Sequence, residues 1–166
     1  MKKPWRAITA SLALLLSTAA SSSLPKPAPN CPLRLGGGNS TIKQLAGKVV
    51  YVDFWASWCV SCIASFPFME RLSHDLAPSG LDVIAVNVDR RPDDAARFLA
   101  RHRVTFPIAM GANEGCAKQF GVAAMPSTFL VDRRGNIRAV HSGFRPEDGP
   151  GLRNLVERLL AEPARP

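Results

Sequence analysis

The sequence has no apolar run long enough to cross a membrane, and past residue 39 it has no internal repeat and no low-complexity block. A transmembrane helix needs about 20 apolar residues, whereas the N-terminal apolar stretch covers residues 7–16 and already contains Thr and Ser. The chain has 166 residues, of which 46% are hydrophobic and 20% charged. These values are typical of one globular domain, and they exclude a second large domain, a collagen, a coiled coil and a wholly disordered protein.

Acidic residues are scarcer than basic ones, at 13 against 21, which gives a net charge of +8. Three of the positive charges lie in residues 1–6, so the chain without this segment carries a charge near +5 (8 less 3). The basic dipeptides at residues 90–91 and 133–134 have no aromatic residues interleaved with them. We interpret them as solvated faces of helices and turns, and nucleic acid is not expected as a partner.

The N-terminus has the three-part pattern of an export signal. Basic residues in 1–6 precede an apolar stretch over 7–16 and small residues over 17–23. We predict a signal peptide over residues 1–21, cleaved after Ala20 or Ser21, and hence a periplasmic protein. Retention of this segment as a membrane anchor is the alternative, although the stretch is too short for a permanent span.

The rest of the chain divides into a linker and one domain. Residues 22–38 are rich in Ser, Pro and Gly, which predicts a flexible linker. Residues 39–163 alternate apolar runs with helical patterns, which is typical of an α/β domain. Strands are predicted at residues 49–54, 81–88, 106–110, 127–132 and 137–141, and helices at 60–77, 92–102, 114–120 and 151–161. The run at 49–54 is the candidate for a central buried strand, with Asp53 as its one charged residue.

The four cysteines are an even number, and in an exported protein they can all form disulfides. Cys59 and Cys62 form a Cys-x-x-Cys unit, whereas Cys31 and Cys116 are distant from it and from each other. We therefore predict one redox-active pair and treat the other two separately. Cys31 and Cys116 form an internal disulfide, or remain a free Cys31 and an inert buried Cys116, or pair with another protein.

The Cys-x-x-Cys unit follows a buried strand and opens a helix, which favours redox chemistry over zinc binding. A zinc site would need two more ligands at similar spacing, and His74, His102 and His141 form no such cluster in the sequence. Cysteines three apart on a helix need only a slight tightening of the first turn to form a disulfide. The bond can therefore open and close with little motion of the backbone.

The two cysteines of the unit are predicted to have different roles. Cys59 lies at the helix N-terminus, where unpaired N–H groups and the helix dipole favour a thiolate, and we expect its sulfur to be exposed. Lowering a thiol pKa from about 8.5 to about 7 requires roughly 2 kcal/mol, whereas the dipole supplies about 0.3 to 1 kcal/mol. Hydrogen bonds to the sulfur must supply the remainder. Cys62, one turn into the helix, is the predicted resolving thiol.

Asp53 is the candidate proton acceptor for Cys62. It is the only charge in an otherwise apolar strand, and burial would raise its pKa towards neutrality. The alternative is an exposed carboxylate at a strand end, which would have no role in catalysis.

Three separated segments resemble the thioredoxin superfamily, and within it the exported TlpA/ResA-like thiol–disulfide oxidoreductases. They are VDFWASWCVSC around the cysteines, VIAVNVD, and GVAAMPSTFLVD. The resemblance implies a thioredoxin fold, in which helices flank a central mixed β-sheet. It also implies that Pro126 is cis and faces the two sulfurs, and that Trp58, Met125 and Ser127 contact an extended substrate peptide.

By the same resemblance, the protein is a periplasmic, monomeric enzyme that acts on protein cysteines without a cofactor or metal. It would act as a reductant in cytochrome c maturation or a related thiol delivery, with electrons from a membrane thiol reductase. One alternative is an oxidant of exported proteins, which uses the same residues at a higher potential. Another is a Cu(I)-binding or chaperone module in which Met125 or Met69 assists the two thiols.

The chain also departs from the patterns of this superfamily. Ser61 stands where many exported reductases of the group have Pro, and Ser65 stands where several have Glu. Asp53 resembles the buried aspartate of thioredoxin, but a position near Ala85 lacks the lysine that accompanies it there. The redox potential is therefore not transferable from the resemblance.

Overall fold

The computed structural model of the chain describes residues 24–36, 38–110 and 114–163. The predicted signal peptide, with its cleavage positions at Ala20 and Ser21, lies outside these ranges. No helix within them is long and apolar enough to cross a membrane.

The centre of the fold is a mixed β-sheet, whose described strands follow the order β1-β8-β7-β4-β5-β6-β2-β3. The strands are β1 (Lys26–Pro27), β2 (Pro32–Leu35), β3 (Gly38–Thr41), β4 (Val49–Trp55), β5 (Leu81–Asn87), β6 (Ile108–Ala109), β7 (Ser127–Val131) and β8 (Asn136–Ser142). The middle strand β4 pairs in parallel with β5 and antiparallel with β7. The strands β7 and β8 form an antiparallel hairpin.

Helices cover both faces of the sheet. They are α1 (Val60–Leu76), α2 (Pro92–Arg101), α3 (Glu114–Phe120) and α4 (Gly149–Ala161). Residues of α1, α2 and α4 share one hydrophobic cluster with Tyr51 and Trp55 of β4. Residues of α3 share the other cluster with Val50, Val52 and Phe54. Because successive side chains of a strand point to opposite faces, the sheet separates the two clusters, and the predicted architecture of helices flanking a mixed sheet is confirmed.

All seven residues of β4 are buried, because layers pack on both faces of this strand. The continuous apolar run in the sequence thus marks the central strand, as predicted. The same burial applies to Asp53, which has no exposed surface. Its carboxyl group is therefore part of the protein interior, and the interpretation of Asp53 as an exposed strand-end residue is wrong.

The structure differs from the prediction of a flexible linker over residues 22–38. In its described part, β1 pairs with β8, and β2 pairs with both β3 and β6. Leu33 in β2 and Cys31, the residue before that strand, are buried. Pro-rich sequence favours extended backbone, and proline is tolerated in edge strands, where its missing N–H leaves no ladder bond unmade. The composition that suggested a linker therefore suits short strands near the edges of a sheet.

Candidate active site

The turn between β4 and α1 carries the two cysteines of the Cys-x-x-Cys unit. Cys59 is the N-cap of α1, with extended backbone, and its sulfur accepts a hydrogen bond from the N–H of Cys62 at 3.2 Å. The two residues are joined by a disulfide, with their Cα atoms 5.4 Å apart. The same N–H also donates to the carbonyl oxygen of Cys59 at 3.2 Å. This donor of the first helical turn is thus shared, and it is directed at the sulfur, which is where a thiolate needs a donor.

The sulfur of Cys59 is less accessible than the sequence suggested. Cys59 is 5% exposed and Cys62 is fully buried, so the expectation of an exposed Cys59 needs correction. The neighbouring residues Trp58 and Val60 are 69% and 81% exposed. Cys59 nevertheless remains the more accessible of the two cysteines, which agrees with its predicted role as the attacking residue.

Ser61, between the two cysteines, connects them to the loop before β7. Its hydroxyl oxygen lies 3.6 Å from the sulfur of Cys59 and donates a hydrogen bond to the Met125 carbonyl oxygen at 3.4 Å. The hydroxyl group is therefore placed to donate to either acceptor. The sequence placed Ser61 near Cys59, but its contact with residue 125 depends on the fold.

The loop at Met125–Pro126 lies against the redox unit through this contact. The peptide bond between these two residues is cis, as the resemblance implied. Pro126 is buried, and its carbonyl oxygen accepts a hydrogen bond from the N–H of Gly143 at 2.8 Å. Ser127 is also buried, and its hydroxyl donates to the carbonyl of Ala124 at 2.7 Å. This hydroxyl is thus used within the loop. The exposed apolar side chains that flank Cys59 in the sequence are Trp58 and Val60, and Met125 of the loop is half-buried.

Asp53 lies two residues from both Tyr51 and Trp55 along β4, so the three side chains point to the same face of the sheet. Tyr51 and Trp55 pack in the same cluster as Cys62, which places Asp53 on the α1 side. Its Oδ1 accepts a hydrogen bond from the Thr128 hydroxyl at 2.6 Å. The hydroxyl of Tyr51 lies 3.2 Å from the same Thr128 oxygen. Among the described residues, the other Asp53 oxygen, Oδ2, has no hydrogen-bond partner. It is thus a buried acceptor with unused capacity.

The pKa of Asp53 is raised from 3.8 to about 7. The main cause is burial, which removes the charged form from water, and the Thr128 hydrogen bond opposes it in part. The pKa of Tyr51 is raised as well, by its own burial and by the charge of Asp53. Asp53 pairs across the sheet with Ala85 and Thr128, so neither directly opposite position carries a cation that would lower its pKa.

A second buried carboxylate, Asp89, holds the turn that leads into Cys59, and the sequence reasoning missed it. Its Oδ2 accepts the backbone N–H of Ser57 at 2.9 Å, and its Oδ1 accepts the Ser57 hydroxyl at 3.0 Å. The side chain of Asn87 donates to the same carboxylate at 2.8 Å. The sequence did contain a signal for this network, because the apolar run VIAVNVD ends in Asn and Asp. Since β5 is parallel to β4, residues at its end lie at the same edge of the sheet as Cys59.

An open groove of about 480 Å³ lies beside the disulfide. We call it the α3 groove, and its lining residues are Trp58, Val88, Arg90, Ala117, Lys118, Val122 and Met125. It includes Trp58, next to Cys59, and Met125, whose carbonyl contacts Ser61. The groove is therefore continuous with the redox unit.

The structure joins the two remaining cysteines by a second disulfide. Cys31, just before β2, is bonded to Cys116 of α3, with the Cα atoms 5.3 Å apart. Both residues are buried, at 1% and 4% exposure. The structure thus agrees with the first of the three possibilities for Cys31 and Cys116, an internal disulfide. Within the described ranges, no group of three or more His, Cys, Asp or Glu side chains is arranged to hold a metal ion.

Comparison with known proteins identifies the family. The model of the Redoxin family matches residues 24–156, so the chain belongs to the Redoxin family. A thiol-disulfide oxidoreductase ResA of Geobacillus thermodenitrificans is 30% identical over 109 residues, which cover 66% of this chain and 63% of the relative. The ResA of Halalkalibacterium halodurans is 31% identical over 66% of this chain and 62% of its own length. The chain thus spans about three-fifths of the length of these curated relatives.

The fold has a solved counterpart. A crystal structure from Chlorobium tepidum, assigned to a thiol:disulfide interchange protein DsbE, superimposes with a TM-score of 0.79. It is 36% identical to this chain, and the match covers 82% of this chain and 97% of that one. Sequence and fold together confirm that the chain is a TlpA/ResA-like member of the thioredoxin superfamily.

Proposed function

We propose that this protein is an exported thiol–disulfide oxidoreductase that exchanges disulfides with protein cysteines through Cys59 and Cys62. The observation that carries the proposal is the disulfide at the N-terminus of α1, with the N–H of Cys62 directed at the Cys59 sulfur. The family and the relatives named thiol-disulfide oxidoreductase support it. The periplasmic location rests on the export-signal pattern over residues 1–21.

In the reducing direction, the thiolate of Cys59 attacks one sulfur of a substrate disulfide. A mixed disulfide forms, and the other substrate sulfur leaves as a thiolate. Cys62 then attacks the Cys59 sulfur, which restores the Cys59–Cys62 disulfide and releases the second substrate thiol. Two electrons pass to the substrate, and the protein is oxidised by the same amount. Both electrons come from the chain's own sulfurs, so the scheme uses no cofactor.

Two hydrogen-bond donors near the Cys59 sulfur favour its thiolate in the reduced protein. A hydrogen bond to a charged group contributes about 1.5 to 3 kcal/mol, and the N–H of Cys62 is directed at the sulfur, although it also donates to the Cys59 carbonyl oxygen. The Ser61 hydroxyl adds a second donor once a thiolate forms. The α1 dipole, at about 0.3 to 1 kcal/mol, is then a smaller contribution.

Asp53 is proposed to accept the proton of Cys62 during resolution of the mixed disulfide. A carboxyl group with a pKa of about 7 exchanges protons with a thiol near neutral pH, whereas an ordinary aspartate is too acidic to do so efficiently. Its unpartnered Oδ2 lies in the interior, on the side of the sheet where Cys62 packs. Pro126 and Met125 are proposed to hold the substrate peptide against Cys59, with Trp58 on the other side.

We further propose that electrons flow towards the substrate, in cytochrome c maturation or a related delivery of thiols, with a membrane thiol reductase as donor. The resemblance to ResA supports this direction. The same residues would serve an oxidant if the Cys59–Cys62 couple had a higher potential.

One experiment tests the function and its direction together. The potential of the Cys59–Cys62 couple is measured by equilibration with glutathione, and a Cys62→Ala variant is used to accumulate mixed disulfides with protein substrates. A potential below that of glutathione, with mixed disulfides at Cys59, supports a reductant. A potential well above it identifies an oxidant. Tight retention of Cu(I) without any disulfide exchange would overturn the proposed activity.

A further inference from the structure

The α3 groove lies next to the redox unit. Cys59 is 5% exposed, exposed Trp58 precedes it, and Ser61 of the same unit donates a hydrogen bond to the Met125 carbonyl oxygen. Trp58 and Met125 also line the groove. A segment bonded to Cys59 through a mixed disulfide therefore has the groove directly beside it.

The groove combines apolar walls with charge of one sign. Trp58, Val122 and Met125 offer apolar surface, and the charged residues among the described lining are the two cations Lys118 and Arg90. Lys118 is exposed, and within the described ranges its side chain has no ion pair or hydrogen bond. An extended segment that fills this groove is stabilised if it brings a carboxylate to the Lys118 end.

The helix that carries Lys118 is held in place from two sides. Two residues before Lys118, Cys116 is bonded to Cys31 at the start of β2. Two residues after it, the ring of Phe120 packs against Phe54 and Phe129, with centroids 5.2 and 4.9 Å away. The short helix α3 is thereby fixed against the sheet, and the ammonium group is presented from a rigid wall rather than from a mobile loop.

We propose that the α3 groove binds an extended segment of the protein substrate that carries apolar residues and an aspartate or glutamate near the reacting cysteine, and that Lys118 determines this preference. The inference rests on the proposed function, because it concerns the partner of the same site. Through Lys118, the exchange reaction would favour substrates that carry an acidic residue near the reacting cysteine. An exposed ion pair is worth at most about 1 kcal/mol, so the preference is a graded one of about fivefold.

The test uses two disulfide-closed peptides that differ only beside one cysteine, where one has Glu and the other Lys, with apolar residues in the remaining positions. Prereduced protein reacts with each peptide in single turnover, and the released peptide thiols are measured. We expect the wild-type protein to reduce the Glu peptide about fivefold faster per unit concentration than the Lys peptide. The two peptides should differ in how the rate depends on peptide concentration, and this difference in rate should become smaller as salt is added.

Two charge-reversal variants provide the comparison. Lys118→Glu should invert the ratio between the two peptides. Lys26→Glu makes the same change of net charge on β1, at the opposite edge of the sheet from the β6-β2-β3 strands, and should retain the wild-type ratio. Because each ratio is taken within one variant, a partial loss of folded protein cancels.

The outcomes separate the inference from the function on which it rests. Equal rates with both peptides in the wild-type protein, or the same change of ratio in both variants, would overturn the role of Lys118 while leaving the exchange activity intact. Failure of the wild-type protein to reduce either peptide would overturn the proposed function, and the inference with it.

Discussion

Thr128 donates its hydroxyl hydrogen to Asp53 at 2.6 Å, across the antiparallel pairing of β7 with β4. The bond stabilises the charged form of a carboxyl group that burial would otherwise keep neutral. Thr128 belongs to the strand that follows the Met125–Pro126 loop directly. The residue that partly offsets the effect of burial on the pKa of Asp53 is therefore tied to the loop proposed to hold the substrate.

Replacement of Thr128 by Val should raise the pKa of Asp53 further, because the charged form loses a hydrogen bond. A base must be ionised to accept a proton, so the rate at which Cys62 resolves a mixed disulfide should need a higher pH. We expect its pH profile to move upward by about one pH unit. Thr128→Ser keeps the hydroxyl and should restore the wild-type profile. An unchanged profile in Thr128→Val would show that Asp53 is not the proton acceptor.

The raised pKa of Asp53 also makes stability depend on pH. Below the unfolded value of 3.8 both states are protonated and Asp53 has no effect. As the pH rises towards the folded value of about 7, the unfolded state ionises first, and the free energy of unfolding falls. Asp53→Asn cannot ionise, so its stability relative to the wild-type protein should increase by about 4 kcal/mol between pH 4 and pH 8.

Urea unfolding of the oxidised proteins at a series of pH values measures this effect. Asp93→Asn, at an exposed position in the first turn of α2, removes the same charge and provides the baseline. The difference in unfolding free energy between Asp53→Asn and the wild-type protein should change with pH. A constant difference would show that Asp53 has no raised pKa in the folded protein.

The two disulfides should contribute unequally to stability. The Cys31–Cys116 bond joins residues 85 apart, whereas the Cys59–Cys62 bond joins residues 3 apart. In the chain-entropy model, the disulfide that closes the longer loop stabilises the folded protein by about 4.5 kcal/mol, and the one that closes the shorter loop by about 2 kcal/mol. The double variant Cys31→Ser/Cys116→Ser should therefore unfold at lower denaturant than Cys59→Ser/Cys62→Ser. The reverse order would contradict the ranking of the two disulfides by loop length.

The hydroxyl of Ser61 should tune the redox potential. It can donate to the Cys59 thiolate, so it stabilises the reduced form, and Ser61→Ala should make the protein a stronger reductant. Loss of about 1.4 kcal/mol from the reduced form lowers a two-electron potential by about 30 mV.

Ser65→Ala is the matched control for Ser61→Ala. Its hydroxyl donates to the carbonyl oxygen of Cys62 and has no contact with a sulfur atom among the described hydrogen bonds. Equilibration with glutathione should show a lower potential for Ser61→Ala and no comparable change for Ser65→Ala. Equal shifts in the two variants would place the effect in the helix rather than at the Cys59 sulfur.

Much of the fold and of the redox unit was accessible from local sequence. The strand before Cys59 was recognised because it is a continuous apolar run, and the helix after it because its apolar residues recur at helical spacing. The proposed roles of Cys59 and Cys62 follow from a separation of three residues at a helix start. Residues 24–36 were predicted as part of a flexible linker, but they contribute two strands to the sheet. Composition could not reveal this, because a Pro-rich segment has the same composition whether or not it pairs with a sheet.

The sequence by itself determined the elements from β4 onwards and the spacing of the Cys59–Cys62 unit, since both depend on residues that are near neighbours in the chain. The tertiary structure alone decided the environment of those groups: which hydroxyl reaches Asp53, 75 residues away, how far Cys59 is covered, and which cation borders the α3 groove. The physical reason is that desolvation and hydrogen bonding depend on atoms that meet only after the strands have paired.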